Sequence, residues 1–169
     1  EVNSGYKDIE YNSELTEKDR ALESVICYDR YSRYSFLDHF FLPDIKLEEL
    51  ASCFNRELGD FHNRPYEIKE ILDEGFILQR DGLFGDERQP VSITKKFTFD
   101  KHKSTINVFY DVQNNSDKPL VSKFGIEFNY SLLAGRDDGR FYEINDEPLE
   151  DEEKFLISIG ETHNVKTVA

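Results

Sequence analysis

The chain has 169 residues and a formal net charge of −14, with 35 acidic side chains against 21 Lys and Arg. That length fits one domain, able to bury about 70% of its unfolded surface without staples, and fourteen Phe and nine Tyr make an aromatic core. So acidic a chain repels phosphate backbones, which argues against nucleic acid as a partner, and it holds no apolar run of about 18 residues to span a membrane.

In chain order, residues 1–26 read as an acidic tail and a short helix. Thr16 and Asp19 approximate a capping box, and Leu22, Val25 and Ile26 fall at helical spacing. The chain opens on Glu1, so its natural start is expected upstream. Residues 27–58 read as an aromatic and arginine-rich junction with a second short helix. In that helix Asp44 is placed to cap, and Leu47, Leu50 and Ala51 share a face. Cys27 and Cys53 lack metal spacing and are expected as reduced thiols, which fits a cytoplasmic protein.

From residue 59 the apolar period changes to two, the signature of half-buried strands. Tyr66, Ile68 and Leu72 are followed by a turn at Asp73–Gly75, then by a short strand closed at Asp81-Gly82. Val91, Ile93, Phe97 and Phe99 alternate with Ser92, Thr94, Lys96 and Thr98. Ile106, Val108, Tyr110 and Val112 continue after Asp100-Lys101. Asn114 to Pro119 is a turn, and Leu120 to Leu132 is expected as the longest strand. An acidic run at 146–153 reads as a solvated loop, and Phe155, Ile157 and Ile159 as a last strand. About seven strands, no helical crossover and one apolar face each predict an antiparallel β-sandwich over residues 59–169. Phe97, Phe99, Val108, Phe124, Ile126, Phe128 and Phe155 are its expected core.

The four histidines are scattered without ligand spacing, so neither a metal nor another cofactor is expected. Paired carboxylates can run glycoside hydrolysis, but among 35 acidic residues pairing alone selects none. Glu127 and Asn129 lie on the polar face of their strand and admit two readings. They are carbohydrate-binding groups, or Glu127 is a cross-strand partner of Lys96 or Lys123; the second is preferred. In the junction, Tyr28, Arg30, Arg33, Phe36, Asp38, His39, Phe40 and Phe41 are expected at an interdomain interface. Arg and Tyr are frequent anchors there, and Phe-Phe-Leu at 40–42 needs cover. Stacking of sugar on the same Tyr and Arg groups is the alternative.

Two blocks carry a family resemblance. Tyr28 to Phe40, Tyr-Asp-Arg-Tyr-x-Arg-x-Ser-x-x-Asp-His-Phe, resembles the start of the C-terminal β-sandwich of glycoside hydrolase family 57 enzymes, the 4-α-glucanotransferases and α-amylases. Phe124 to Leu133 resembles a strand of the same domain. The resemblance implies a galactose-mutarotase-like supersandwich, incomplete here, attached to a catalytic barrel that holds the nucleophile and the acid/base. No residue of this chain matches those roles. It implies a non-catalytic domain of an α-1,4-glucan-acting enzyme, with the barrel as partner, α-glucan as a ligand and no cofactor. A sugar-converting mutarotase or epimerase-type domain, which needs a histidine beside a carboxylate in a cleft, is the alternative, and a free-standing interaction module is the third reading.

Overall fold

The computed structural model describes residues 31–168, apart from 33, 52–55, 131–135, 138 and 156–159. The expected tail and helix of residues 1–26, together with Cys27, Tyr28, Arg30, Arg33, Cys53, and Ile157 and Ile159 of the expected last strand, therefore lie outside the described residues.

The chain is mainly antiparallel β. Four strands run consecutively as one sheet: β2 (Glu67–Leu72), β3 (Gly75–Phe84), β4 (Gln89–Asp100) and β5 (Thr105–Asn114). A second sheet pairs β1 (Leu37–Phe41) with β6 (Lys123–Glu127), placing Asp38 opposite Ile126 and Phe40 opposite Phe124. Its inner face packs on the larger sheet. Phe40 meets Phe84 and Phe124 ring to ring, and clusters with Phe61, Val91 and Ile93. Phe36, just before β1, packs edge-on against Phe97 of β4. The result is a small two-layer sandwich. A single turn of helix, α1 (Leu47–Ala51), follows β1. The amide of Lys46, the residue before it, donates to Glu49, and the Lys46 carbonyl accepts from the Leu50 amide, so the cap falls at Lys46 and not at Asp44.

Several expectations shift. β1 lies within the expected junction of residues 27–58 and pairs along its length with β6, so Leu37–Phe41 is part of the sandwich. β3 runs through Asp81-Gly82 without turning, and the reversal comes at 85–88, where Gly85 and Arg88 adopt positive φ. A glycine at 82 is needed for packing: a Cβ there would stand 2.6 Å from Phe61 Cζ. β6 is five residues long, not the longest strand. The acidic run begins as a tight hairpin, β7 (Glu143–Ile144) with β8 (Glu147–Pro148). Its turn residues Asn145 and Asp146 both have positive φ, as a mirror-type hairpin turn requires.

Of the expected core, Phe97 and Phe155 are buried and Val108 is half-buried, whereas Phe99, Phe124, Ile126 and Phe128 are exposed by a third or more. The reason is the pairing. The described part of the second sheet is two strands wide and covers β3 and β4 better than the outer strand β5.

Candidate functional site

The residues 36–41 present two chemically different faces, because successive strand side chains point to opposite sides. Asp38 and Phe40 point inward. Asp38 is 1% exposed and meets the Lys95 ammonium, itself 4% exposed, in a direct ion pair. Tyr66 donates its hydroxyl to the same carboxylate oxygen, and Lys95 Nζ also donates to the Phe36 carbonyl at 2.7 Å. The ammonium lies 4.2 Å from the centre of the Tyr66 ring and 5.5 Å from that of Tyr110. Desolvation acts on both partners. It pushes Asp38 above the usual carboxylate range and Lys95 below the usual amine range, and their mutual bond offsets part of each shift. Burial and the Asp38 charge also raise the Tyr66 hydroxyl. Phe36 itself has φ +65°, a strained conformation for a bulky side chain. It is held at both ends: its amide donates to the Glu127 carbonyl, and its carbonyl receives Lys95.

His39 and Phe41 point to the other face, where Gly125 of β6 lies opposite His39. His39 is 2% exposed, and each ring nitrogen meets a carboxylate: Nδ1 stands 2.8 Å from Glu57 Oε2 and Nε2 3.1 Å from Glu127 Oε2. The ring stacks on Phe41 and on His62, and Tyr31 packs against both histidines. Glu57 is fixed through its other oxygen, which accepts from the Phe40 and Gly59 amides. Glu127 accepts from the Tyr31 hydroxyl at 2.7 Å and from Asn129 Nδ2 at 2.6 Å, and Asn129 Nδ2 also donates to the Tyr34 carbonyl.

The expected binding pair, Glu127 and Asn129, is thus brought together, but facing His39 and Tyr31. The preferred reading of Glu127 as a lysine's partner is replaced by these contacts: Lys123 instead reaches the Ile45 carbonyl. Of the expected interface residues, Asp38, His39 and Phe40 are buried among groups of this chain, and Phe36 and Phe41 are half-buried. His39 does lie beside carboxylates, as an epimerase-type site requires. Yet it is buried, and its two nitrogens meet Glu57 and Glu127, so neither faces an open cleft that could hold a sugar.

Glu57, His62, Tyr66 and Lys95 were not among the expected site residues. Only Lys95 had a readable signal: it falls on the same parity as Val91, Ile93 and Phe97, the apolar face of β4, where an ammonium needs a buried anion. Glu57 and His62 sit in a connecting segment with no period.

Beside the Asp38 ion pair, an open groove of about 560 Å³ runs between β5 and the end of β6. Phe36, Ile106, Val108, Ile126, Phe128 and Tyr130 line it. Phe128 is 43% and Tyr130 73% exposed.

Comparison with known proteins places these features in context. The family model described as "Alpha-amylase/4-alpha-glucanotransferase, C-terminal" matches residues 3–165. Alpha-amylase 1 of Dictyoglomus thermophilum is 31% identical over 134 residues, 78% of this chain and 19% of that protein. The 4-alpha-glucanotransferase of Thermococcus litoralis is 30% identical over 129 residues, 72% of this chain and 18% of its own length. The crystal structure of the Thermococcus litoralis enzyme superposes with a TM-score of 0.60 over 70% of this chain and 18% of that one. The chain thus spans about one fifth of the relatives that it matches.

Proposed function

Because the chain belongs to the alpha-amylase/4-alpha-glucanotransferase C-terminal family, we propose that it is the non-catalytic β-sandwich of an α-1,4-glucan-acting enzyme and supports that enzyme's catalytic part. The observation that carries this reading is the apolar groove of Phe36, Ile106, Val108, Ile126, Phe128 and Tyr130, left open on a chain whose match covers about one fifth of its relatives. Contiguous exposed apolar surface of this kind marks an interface. Its occupant is the remaining chain of the parent enzyme. A second copy is disfavoured, because two molecules carrying −14 each repel. The buried His39 supports a structural role for the domain, and Cys27 and Cys53, expected as reduced thiols, favour a cytoplasmic parent.

Two experiments test the proposal. The chain alone is expected to leave maltoheptaose unchanged; turnover that survives repurification and is lost on Glu127→Gln overturns the non-catalytic assignment. In the full-length parent, Phe128→Asp is expected to loosen the domain, seen as faster limited proteolysis at its boundary and a lower melting temperature. The same change in the chain alone is expected to leave melting within a degree or two, since Phe128 is half-exposed there. Equal behaviour of both parents, mutated and not, overturns the docking surface.

A further inference from the structure

We propose that His39, Glu57 and His62 form a binding site for a divalent transition-metal cation, with Zn2+ the best match. The three donors come from separate segments: β1, the bridge residue opposite Phe41, and the loop after Phe61. Their ligand atoms all lie within 4.8 Å of one another. Glu57 Oε2 stands 2.8 Å from His39 Nδ1 and 3.8 Å from His62 Nδ1. Donors around a tetrahedral zinc with bonds of about 2.0–2.2 Å are separated by about 3.3–3.6 Å, so these spacings bracket the required one. The two imidazoles are stacked nearly parallel, so a shared ion requires the His62 ring to turn until its Nδ1 points at Glu57 Oε2. His62 lies in the loop after Phe61 with its side chain 22% exposed, so the turn shifts a loop side chain and leaves the strands in place.

The surroundings are those of a held ligand set. Glu57 Oε1 is occupied by two main-chain amides, which leaves Oε2 directed at the histidines. His39 Nε2 faces Glu127, which the Tyr31 hydroxyl and Asn129 hold in turn. A carboxylate behind a histidine fixes the tautomer that presents the other nitrogen to a metal. The carboxylates of Glu57 and Glu127 place negative charge beside the imidazoles, which a dication offsets. Two nitrogens and one oxygen form a borderline donor set, suited to zinc and poorly suited to calcium or magnesium, which take oxygens. An opening of about 290 Å³ lined by His62, Tyr34, Asn63, Arg64 and Pro65 reaches the cluster at its His62 side, the side from which an ion would approach. Ligand spacing along the chain hides the site, because no two of the three residues belong to one short motif.

The test is titration of metal-stripped protein with Zn2+ by calorimetry, and with Co2+ by visible absorption. One equivalent is expected to bind, with the intense visible bands of four-coordinate Co2+ and a rise in melting temperature. His62→Ala, shown to be folded by circular dichroism, is expected to abolish that equivalent. Glu127→Gln is expected to weaken it about 10–100-fold, as loss of a supporting carboxylate does. Replacing Cys27 and Cys53 by Ser is expected to leave it intact. No saturable binding overturns the site; so does binding that survives His62→Ala or that disappears with the cysteines.

Discussion

At the scale of single residues, the Asp38–Lys95 pair is the most consequential feature of the interior. Two charges buried in a small core cost desolvation that their attraction only partly offsets, and removing one partner leaves the other stranded. Lys95→Met is therefore expected to destabilise the domain by about 3–5 kcal/mol. Adding Asp38→Asn, which keeps an acceptor for the Tyr66 hydroxyl, is expected to recover a large part of that loss. Urea unfolding of the two variants measures both values; a double variant as unstable as the single one contradicts this account.

The pH dependence follows from the same shifts. Asp38 is raised from its ordinary 3.8, so the folded state holds its proton more tightly than the unfolded state does. Its contribution is fully present below 3.8 and is lost as pH rises through the folded value. Lys95 is lowered from 10.5, so its contribution is present above 10.5 and is lost as pH falls through its lowered folded value. Relative to Asp38→Asn/Lys95→Met, the native protein is thus expected to lose stability as pH rises from 4 and to regain it toward 10.5. Melting curves of the two proteins across that range check the sign at each end.

At the scale of elements, β3 is shaped by what crosses it. Phe61, 2% exposed, lies against Gly82, and Asp60 accepts the Leu83 amide and receives Arg80. This loop clamps the strand where a turn residue was expected. Gly82→Ala forces a Cβ into the Phe61 ring, an overpacking expected to cost about 1–3 kcal/mol. Phe61→Leu in the same protein is expected to relieve part of it. Non-additivity in a double-mutant cycle from denaturation curves reads the coupling directly. The short β6 belongs to the same scale: its partner is β1, so its apolar side chains line the rim of the layer and not its centre.

For the whole molecule, the sandwich is lopsided among the described residues. β4 is enclosed, while β5 exposes Ile106 and Phe109 at the edge of the larger sheet. An edge strand of this kind is open to further pairing or cover. Each Phe, Ile or Val side chain that becomes fully buried contributes about 1.5–3 kcal/mol, so the open groove has enough apolar area to anchor a neighbouring part of the same enzyme. Ile106→Lys in the chain alone is expected to shift stability by no more than about 0.5 kcal/mol, as exposed positions do. A large loss of stability would mean that Ile106 is already covered.

The sequence by itself determined the class of this protein. Alternation of period two from Tyr66 onward dictated antiparallel strands, since residues two apart share a face in a pleated sheet. Turn chemistry located the reversal at Asn114–Pro119, and the block Tyr28 to Phe40 pointed to the family that the comparisons show. Tertiary structure alone decided which strands lie side by side. Alternation sorts residues by face but says nothing of the neighbour, so the pairing of β1 with β6, and the resulting exposure of Phe124, Ile126 and Phe128, was not legible. The histidine cluster was hidden for the same reason: His39 and Glu127 are 88 residues apart, and only the register of β1 on β6 brings imidazole and carboxylate together. Local periodicity encodes secondary structure; long-range juxtaposition depends on which packing buries Phe40, Phe61 and Ile93 at once, and no short window of the chain contains that choice.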